Sequence, residues 1–391
     1  MRPAIALCLL LTSTACDSEP PSSEVVAEPE ITTAGSCADL ERLVESAAVR
    51  EMNADIDAII DEIENGTDDG RVVPPVPAAA PTPSPAEDGA RDYTTTNTQE
   101  PAVDEPDFVK NDGSRIFVLQ GRLLVGLVSW PPESTRITFT SWIEGQPHSM
   151  LLHQNRLVVL STLAIPGLTQ PVDGSRFGPT APYSPTNAVK ITVLDVSSGT
   201  PAGVDQQYLE GSLLGARRSG SSVRVVTVAP RRGPTLLYWP ESDTDWSSLS
   251  KARAAMERVR EENVRRIRDS ALSDWLPRAF TASPGGFASI ERECSSFAAS
   301  NAATRLGFTT VSTLELSSLA TRHQTLVAKA DMAYASPRFL YLAVGHEWYR
   351  SRAETRVRED HTYLFQFDLA GDEGGVTPVA AGSAPGTALN S

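Results

Sequence analysis

Four carboxylates, Asp104, Glu105, Asp107 and Asp112, fall within one short stretch of the chain and are its best candidate site. Hard cations such as calcium take several carboxylate oxygens at close range. The spacing is not that of an EF-hand loop, and in a strand Asp104 and Asp107 would face opposite sides. The same residues also fit turn and strand-entry chemistry: Asp112-Gly113 is a hairpin signal, and an aspartate can cap a neighbouring backbone. Both readings stand at this stage, with calcium the cofactor that the first one implies.

Other chemistry-bearing patterns are weaker. His346-Glu347 has no second histidine four residues on, so the zinc-protease motif is absent. His148 and His153 sit five apart around a strand and would point different ways. Ser248-Leu249-Ser250-Lys251 matches the Ser-x-x-Lys pattern of penicillin-binding enzymes without its companion motifs; serines before a charged amphipathic run are ordinary helix caps. The sequence contains no Gly-rich phosphate loop, nucleophile elbow or metal-spaced Cys/His set.

The N-terminus points to export. Met1-Arg2 and the apolar run Ala4 to Leu11 fit a signal-peptide core too short to span a bilayer as a mature helix. It ends in Ser13-Thr14-Ala15-Cys16, which resembles a bacterial lipobox with Cys16 as the acylated residue, although Ser13 stands where leucine is usual. Cleavage after the small-x-small triplet, leaving a soluble protein, is the alternative. Of the 4 cysteines, cleavage removes Cys8. If Cys16 is lipidated, Cys37 and Cys294 remain as the only intramolecular pair, whose alternative is two unpaired thiols.

Charge is segregated. The chain carries a net -15, and the acidity lies before residue 108, leaving the remainder close to neutral. No basic stripe survives outside one charged helix, which excludes nucleic acid as an expected partner.

The elements follow from composition and period. Residues 1–15 are the signal, 16–36 an acidic tether with too few apolar groups to fold, and 67–91 a Pro-rich spacer. Between them, residues 37–66 carry a helical stripe from Leu40 through Val44, Met52 and Ile56 to Ile63. That face must dock on the main domain or on a partner. Residues 92–391 show short apolar runs cut by turn signals, the all-β pattern. They sort into four similar modules, beginning near Phe108, Ser149, Leu213 and Met332. Four-strand units in series favour a propeller over a sandwich. Much of residues 163–188 and 230–305 reads as insertion. The second of these stretches, within the third module, holds a helical segment, 247–276, with Ala252, Met256, Val259, Asn263 and Ile267 on one face.

The stretch Asp92 to Gln99, and then Val103-Asp104-Glu105-Pro106-Asp107-Phe108-Val109-Lys110-Asn111-Asp112-Gly113, closely resembles a family of secreted bacterial and archaeal proteins described as a C-terminal β-propeller distantly related to WD40 repeats. Tyr208-Leu209-Glu210-Gly211-Ser212 before Arg217-Arg218, Leu272 to Pro277, and Ala381-Gly382 to Pro385-Gly386 also match. Pro106 departs from the alanine more often found there. The resemblance implies the propeller fold and export, and brings no reaction with it.

The expectation is therefore an all-β, β-propeller domain with an N-terminal helix and an inserted helix. It would be tethered to the membrane of the cell envelope by the lipid on Cys16 and would bind an extracytoplasmic protein, peptide or glycan. The alternative is a propeller hydrolase or metal-dependent enzyme with carboxylates near the channel. Four modules lie at the bottom of the known range of roughly 4–8 blades. The resembling family's pattern continues past Pro385-Gly386, so an incomplete ring with an exposed final edge is expected, and a closed four-bladed ring is the competing outcome.

Overall fold

The computed structural model describes residues 25–65, 100, 102–171, 183–240, 245–283, 286–346, 361–370 and 375–388. The signal, Cys16, the Pro-rich spacer, residues 92–99, Glu347 and the last three residues lie outside them.

Strands form where β-branched and aromatic residues alternate with polar ones, and turn residues separate them. The first sheet runs β2 (Val109–Asn111), β3 (Arg115–Gln120), β4 (Leu123–Val128) and β5 (Arg136–Trp142), an antiparallel meander. The second runs β6 (Gln146–His153), β7 (Arg156–Pro171), β8 (Tyr183–Asp195) and β9 (Ala202–Glu210). The third runs β10 (Ser212–Ser219), β11 (Ser222–Pro230), β15 (Gly307–Glu315) and β16 (Thr321–Leu326). The fourth is β17 (Met332–Ala335), β18 (Phe339–Gly345), β19 (His361–Asp368) and β20 (Thr377–Pro385). These are the four modules read from the sequence, in the same order.

Three assignments made from composition are corrected. Residues 163–188 are not merely insertion: β7 and β8 continue as a ladder past the blade, with Leu163 opposite Ala188. Ile165, Ala188 and Tyr208 bury that extension. The stretch 230–305 likewise holds strands. Here β12 (Ala279–Ser283) and β13 (Gly286–Ser289) extend the second sheet beyond β9. Beyond β16, β14 (Phe297–Ser300) and the N-terminal β1 (Ile31–Thr33) extend the third. The end of the segment read as tether is therefore folded, because β14 offers β1 an open strand edge to pair with.

The N-terminal helix α1 (Cys37–Asn65) docks on its own domain. Ser36 opens it by accepting a hydrogen bond from the Asp39 amide at 3.1 Å. Its stripe, Leu40, Val44, Met52, Ile56, Ile59 and Ile60, is buried with Met256, Val259 and Ile267 of α2 (Leu249–Arg268) and with Trp275 of α3 (Leu272–Trp275). Burying such side chains is worth about 1.5–3 kcal/mol each. The acidic face is also used: Arg305 pairs with Glu51 and Asp55, and Arg260 with Asp57. Asn263, polar within a buried stripe, bonds both the N–H and the C=O of Leu237 at 2.8 and 2.7 Å. Cys37 and Cys294 form a disulfide, with Cα atoms 5.0 Å apart.

Adjacent sheets pack face to face. The second meets the third around Leu151, Ile191, Ala216 and Leu314, and the third meets the fourth around Val311, Leu342 and Phe365. Among the described residues no β-ladder joins the fourth sheet to the first, so the sheets form an open series.

Candidate functional site

The acidic block is a strap. Residues 102–107 run across the first strands of the sheets before entering β2. Asp104 exchanges both backbone hydrogen bonds with Arg218 of β10, and Asp107 does the same with Met150 of β6. Glu100 accepts a hydrogen bond from the Tyr334 hydroxyl of β17. The side chains reinforce this path: Asp104 accepts from the buried Lys110 at 2.8 Å and from Arg218 at 3.2 Å. Glu105 pairs with Arg217 at 3.4 Å. Asp107 accepts from the Phe108 amide, and Asp112 caps its own hairpin by accepting from Ser114 and Arg115. Burial alone would raise the Asp112 pKa, but the hydrogen bonds from Arg115 and Ser114 outweigh it and hold the carboxyl below its usual range.

The cation cluster considered for Asp104, Glu105, Asp107 and Asp112 is thus not assembled. Among the described residues no group of three His, Cys, Asp or Glu is placed to hold a metal. The physical reason is that arginine, lysine and backbone N–H groups already take the carboxylate oxygens. Other motifs also resolve into structure: Ser248 is the N-cap of α2, its side chain accepting from the Lys251 amide. His148 meets Ser149, and His346 Nδ1 lies 3.2 Å from both the Ala303 carbonyl and the Tyr363 hydroxyl.

A different set of polar side chains has capacity left over. A cleft of about 420 Å³ lies along the outer edge of the third sheet, between residues 290–296 and the approach to β20 at Gly375 and Val376. The ladder of β15 and β16 builds its wall, pairing Thr310 with Thr325, Val311 with Gln324, Ser312 with His323 and Thr313 with Arg322. β14 pairs with only the end of β16, at Thr325 and Leu326, so the rest of that strand's outer edge faces the cleft. Arg292 crosses this wall, donating from Nη1 to the Thr310 and Thr325 hydroxyls at 3.2 and 3.5 Å. Its Nε has no partner, nor do His323 Nε2, Gln324 Nε2 and Thr313 Oγ1.

The electrostatics are unusual for so enclosed a place. Among the described residues Arg292 makes no ion pair. Burial pushes its pKa down to about 10, opposed by Glu210, and that carboxylate is already bonded by Arg278. Burial, then the charge of Arg292, pushes His323 down to about 3, so it is neutral at pH 7. Its Nδ1 lies 2.9 Å from the Ser312 hydroxyl. A second cleft, between the hairpin tips at His153 to Arg156 and Ser221, is also polar, but there Arg156 is paired with Asp195 at 2.6 Å.

Sequence reading missed Arg292, His323, Gln324 and Thr313. The available signal was the run Thr309-Thr310-Val311-Ser312-Thr313, a strand placed correctly but with too many hydroxyls for an ordinary core strand; all five residues are buried.

Antiparallel sheets succeeding one another along the chain, with the first strands β2 and β6 adjoining, as do β10 and β17, define a β-propeller. The chain belongs to the beta propeller domain family, whose model matches residues 93–391. No curated protein matches the chain. Among solved structures it is similar to the N-terminal domain of Nup159, at 10% identity and a TM-score of 0.25, covering 71% of this chain and 48% of that one. It is also similar to a Synechocystis apocarotenoid oxygenase variant, at 10% identity and a TM-score of 0.21, covering 73% and 64%. The chain therefore spans less than two thirds of the length of either structure.

Proposed function

We propose that the protein is an exported, lipid-anchored β-propeller that acts outside the cytoplasm as a binding module for a protein, peptide or glycan. One observation carries the binding part: the acidic block and the outer-edge cleft use their polar side chains differently. Those of the acidic block are taken up by the ion pairs of the strap and by its own turns, whereas at the outer-edge cleft four polar atoms beside the open space have no partner. Export is supported by the Cys37–Cys294 disulfide, a bond that persists in oxidising compartments. The anchor rests on the Cys16 motif.

Two measurements test the reading. Mass spectrometry of the mature N-terminus is expected to find Cys16 acylated; an unmodified Cys16 in a freely soluble product overturns the anchor. A photo-crosslinking residue at Ser295 on the cleft rim is expected to capture an envelope component that the same group at the Asp112 hairpin does not. Equal capture at both sites, or none at Ser295, overturns the cleft as the binding surface.

A further inference from the structure

Resting on that reading, we infer that the outer-edge cleft of the third sheet binds a single oxyanionic group, a carboxylate or phosphate carried by an otherwise neutral or cationic ligand. A guanidinium taken out of water needs a counter-charge, because desolvating the ion costs several kcal/mol that neutral hydroxyls do not return. Arg292 has only threonine hydroxyls. Gln324 and Thr313 belong to the opposite face of the β15–β16 ladder. On its own face, shared with Thr310, Ser312, His323 and Thr325, the unused nitrogens are Arg292 Nε and His323 Nε2. That is a set suited to oxygen acceptors with a negative charge, and an arginine fork is the side chain best matched to planar or tetrahedral oxyanions.

The rim sets the rest of the ligand's character. Glu291 and Glu293 are exposed on the same segment as Arg292, and Arg322 is exposed across from them. The two acids disfavour a polyanion while leaving room for one anionic group deeper in the cleft. A volume of about 420 Å³ lies within the range of small-molecule sites. The unpartnered atoms are shielded from bulk water, so an oxyanion reaches them through side-chain adjustment at the wall. The same shielding strengthens each charge-assisted hydrogen bond once formed.

The test uses the full mature chain. Thermal unfolding is followed in sodium phosphate and, separately, sodium acetate, each against sodium chloride at matched ionic strength. Saturating oxyanion is expected to raise the midpoint by roughly 3 °C or more over chloride, with Arg292→Met and His323→Phe each reducing the rise. If Arg292→Met does not fold, His323→Phe, which removes the imidazole nitrogen beside Arg292 and keeps the guanidinium, carries the comparison alone. A rise with acetate as well as phosphate assigns carboxylates to the site; a rise with phosphate alone assigns phosphate. No rise with either, or a rise unchanged in the variants, overturns the inference. Crosslinking at Ser295 that persists in such a case leaves the binding-module reading standing, so the two failures are distinguishable.

Discussion

Asp104 and Arg218, 114 residues apart, exchange both of their backbone hydrogen bonds, at 2.8 and 2.9 Å, and their side chains meet at 3.2 Å. An isolated bridge of this kind ties the strap to the first strand of the third sheet, just as Asp107 ties it to the second at Met150. The strap does for the open series of sheets part of what ring closure does in a complete propeller: it pairs backbone groups that would otherwise sit along the first strands unsatisfied.

Removing the Asp104 carboxylate should therefore be costly. Lys110 is buried and donates to Asp104 Oδ1 and to the Glu105 carbonyl. Asp104→Asn weakens both the Lys110 and the Arg218 contacts. A loss of about 2 kcal/mol is expected in urea unfolding, since two charge-assisted hydrogen bonds lose the charge on their acceptor. Asp112→Asn, at a half-exposed hairpin, should cost less than about 1 kcal/mol.

The disulfide gives a second expectation. Cys37 and Cys294 close a loop spanning 257 residues of sequence separation. In the chain-entropy model such a closure stabilises by about 5 kcal/mol. Non-reducing peptide mapping should recover the linked peptides, and the Cys37→Ser, Cys294→Ser double variant should unfold at markedly lower urea. An unchanged midpoint would mean that α1 is held by packing and by its Arg260 and Arg305 pairs alone.

Much of this organisation is legible in the sequence because local signals agree with the fold. The α1 stripe, the Ser248 cap and the Asp112-Gly113 hairpin each specify their own structure within a few residues. The strap is not legible in that way. Its acids look like a ligand set because their partners, Arg217, Arg218 and Met150, lie far along the chain and only the fold brings them near. The outer-edge cleft is hidden for the same reason: Arg292 and His323 sit in ordinary-looking segments, and neither spacing nor composition reveals that Arg292 lacks a carboxylate. Strands β12 to β14 escape a sequence reading because they are short and join sheets begun much earlier in the chain.

Gly211 connects the second sheet to the third and supplies a third expectation. Its φ is +116°, in the region that favours glycine, and an added Cβ would meet the Val228 carbonyl oxygen at 2.4 Å. That contact is with backbone in a central strand, so neither partner yields easily. Gly211→Ala should destabilise by more than about 3 kcal/mol or abolish soluble expression. Gly220→Ala also carries positive φ but meets nothing within 4 Å, and should cost only about 1 kcal/mol. Comparing the two by urea unfolding separates close approach from backbone strain.

The last expectation concerns His323. Its folded-state pKa, pushed down to about 3 by burial and by Arg292, lies below the value of about 6.5 for the unfolded chain. Between those values the unfolded state takes up a proton that the folded state refuses. The stability this group contributes is therefore complete above about pH 6.5 and is lost as pH falls toward 3, at a limiting slope of about 1.4 kcal/mol per pH unit. Down to pH 5 the total loss should reach about 2 kcal/mol, in a window where carboxylates held below their usual range, such as Asp112 and Glu315, remain charged. His148 and His153 are also lowered by burial and add losses of the same sign, so the wild-type slope alone does not isolate His323. The comparison with His323→Gln does. Urea unfolding at pH 7, 6 and 5 should show the variant losing less stability on acidification than the wild type, by up to one proton's worth of slope. Parallel curves for the two proteins would show that His323 protonates freely in the fold, and that the cleft wall is wetter than its geometry indicates.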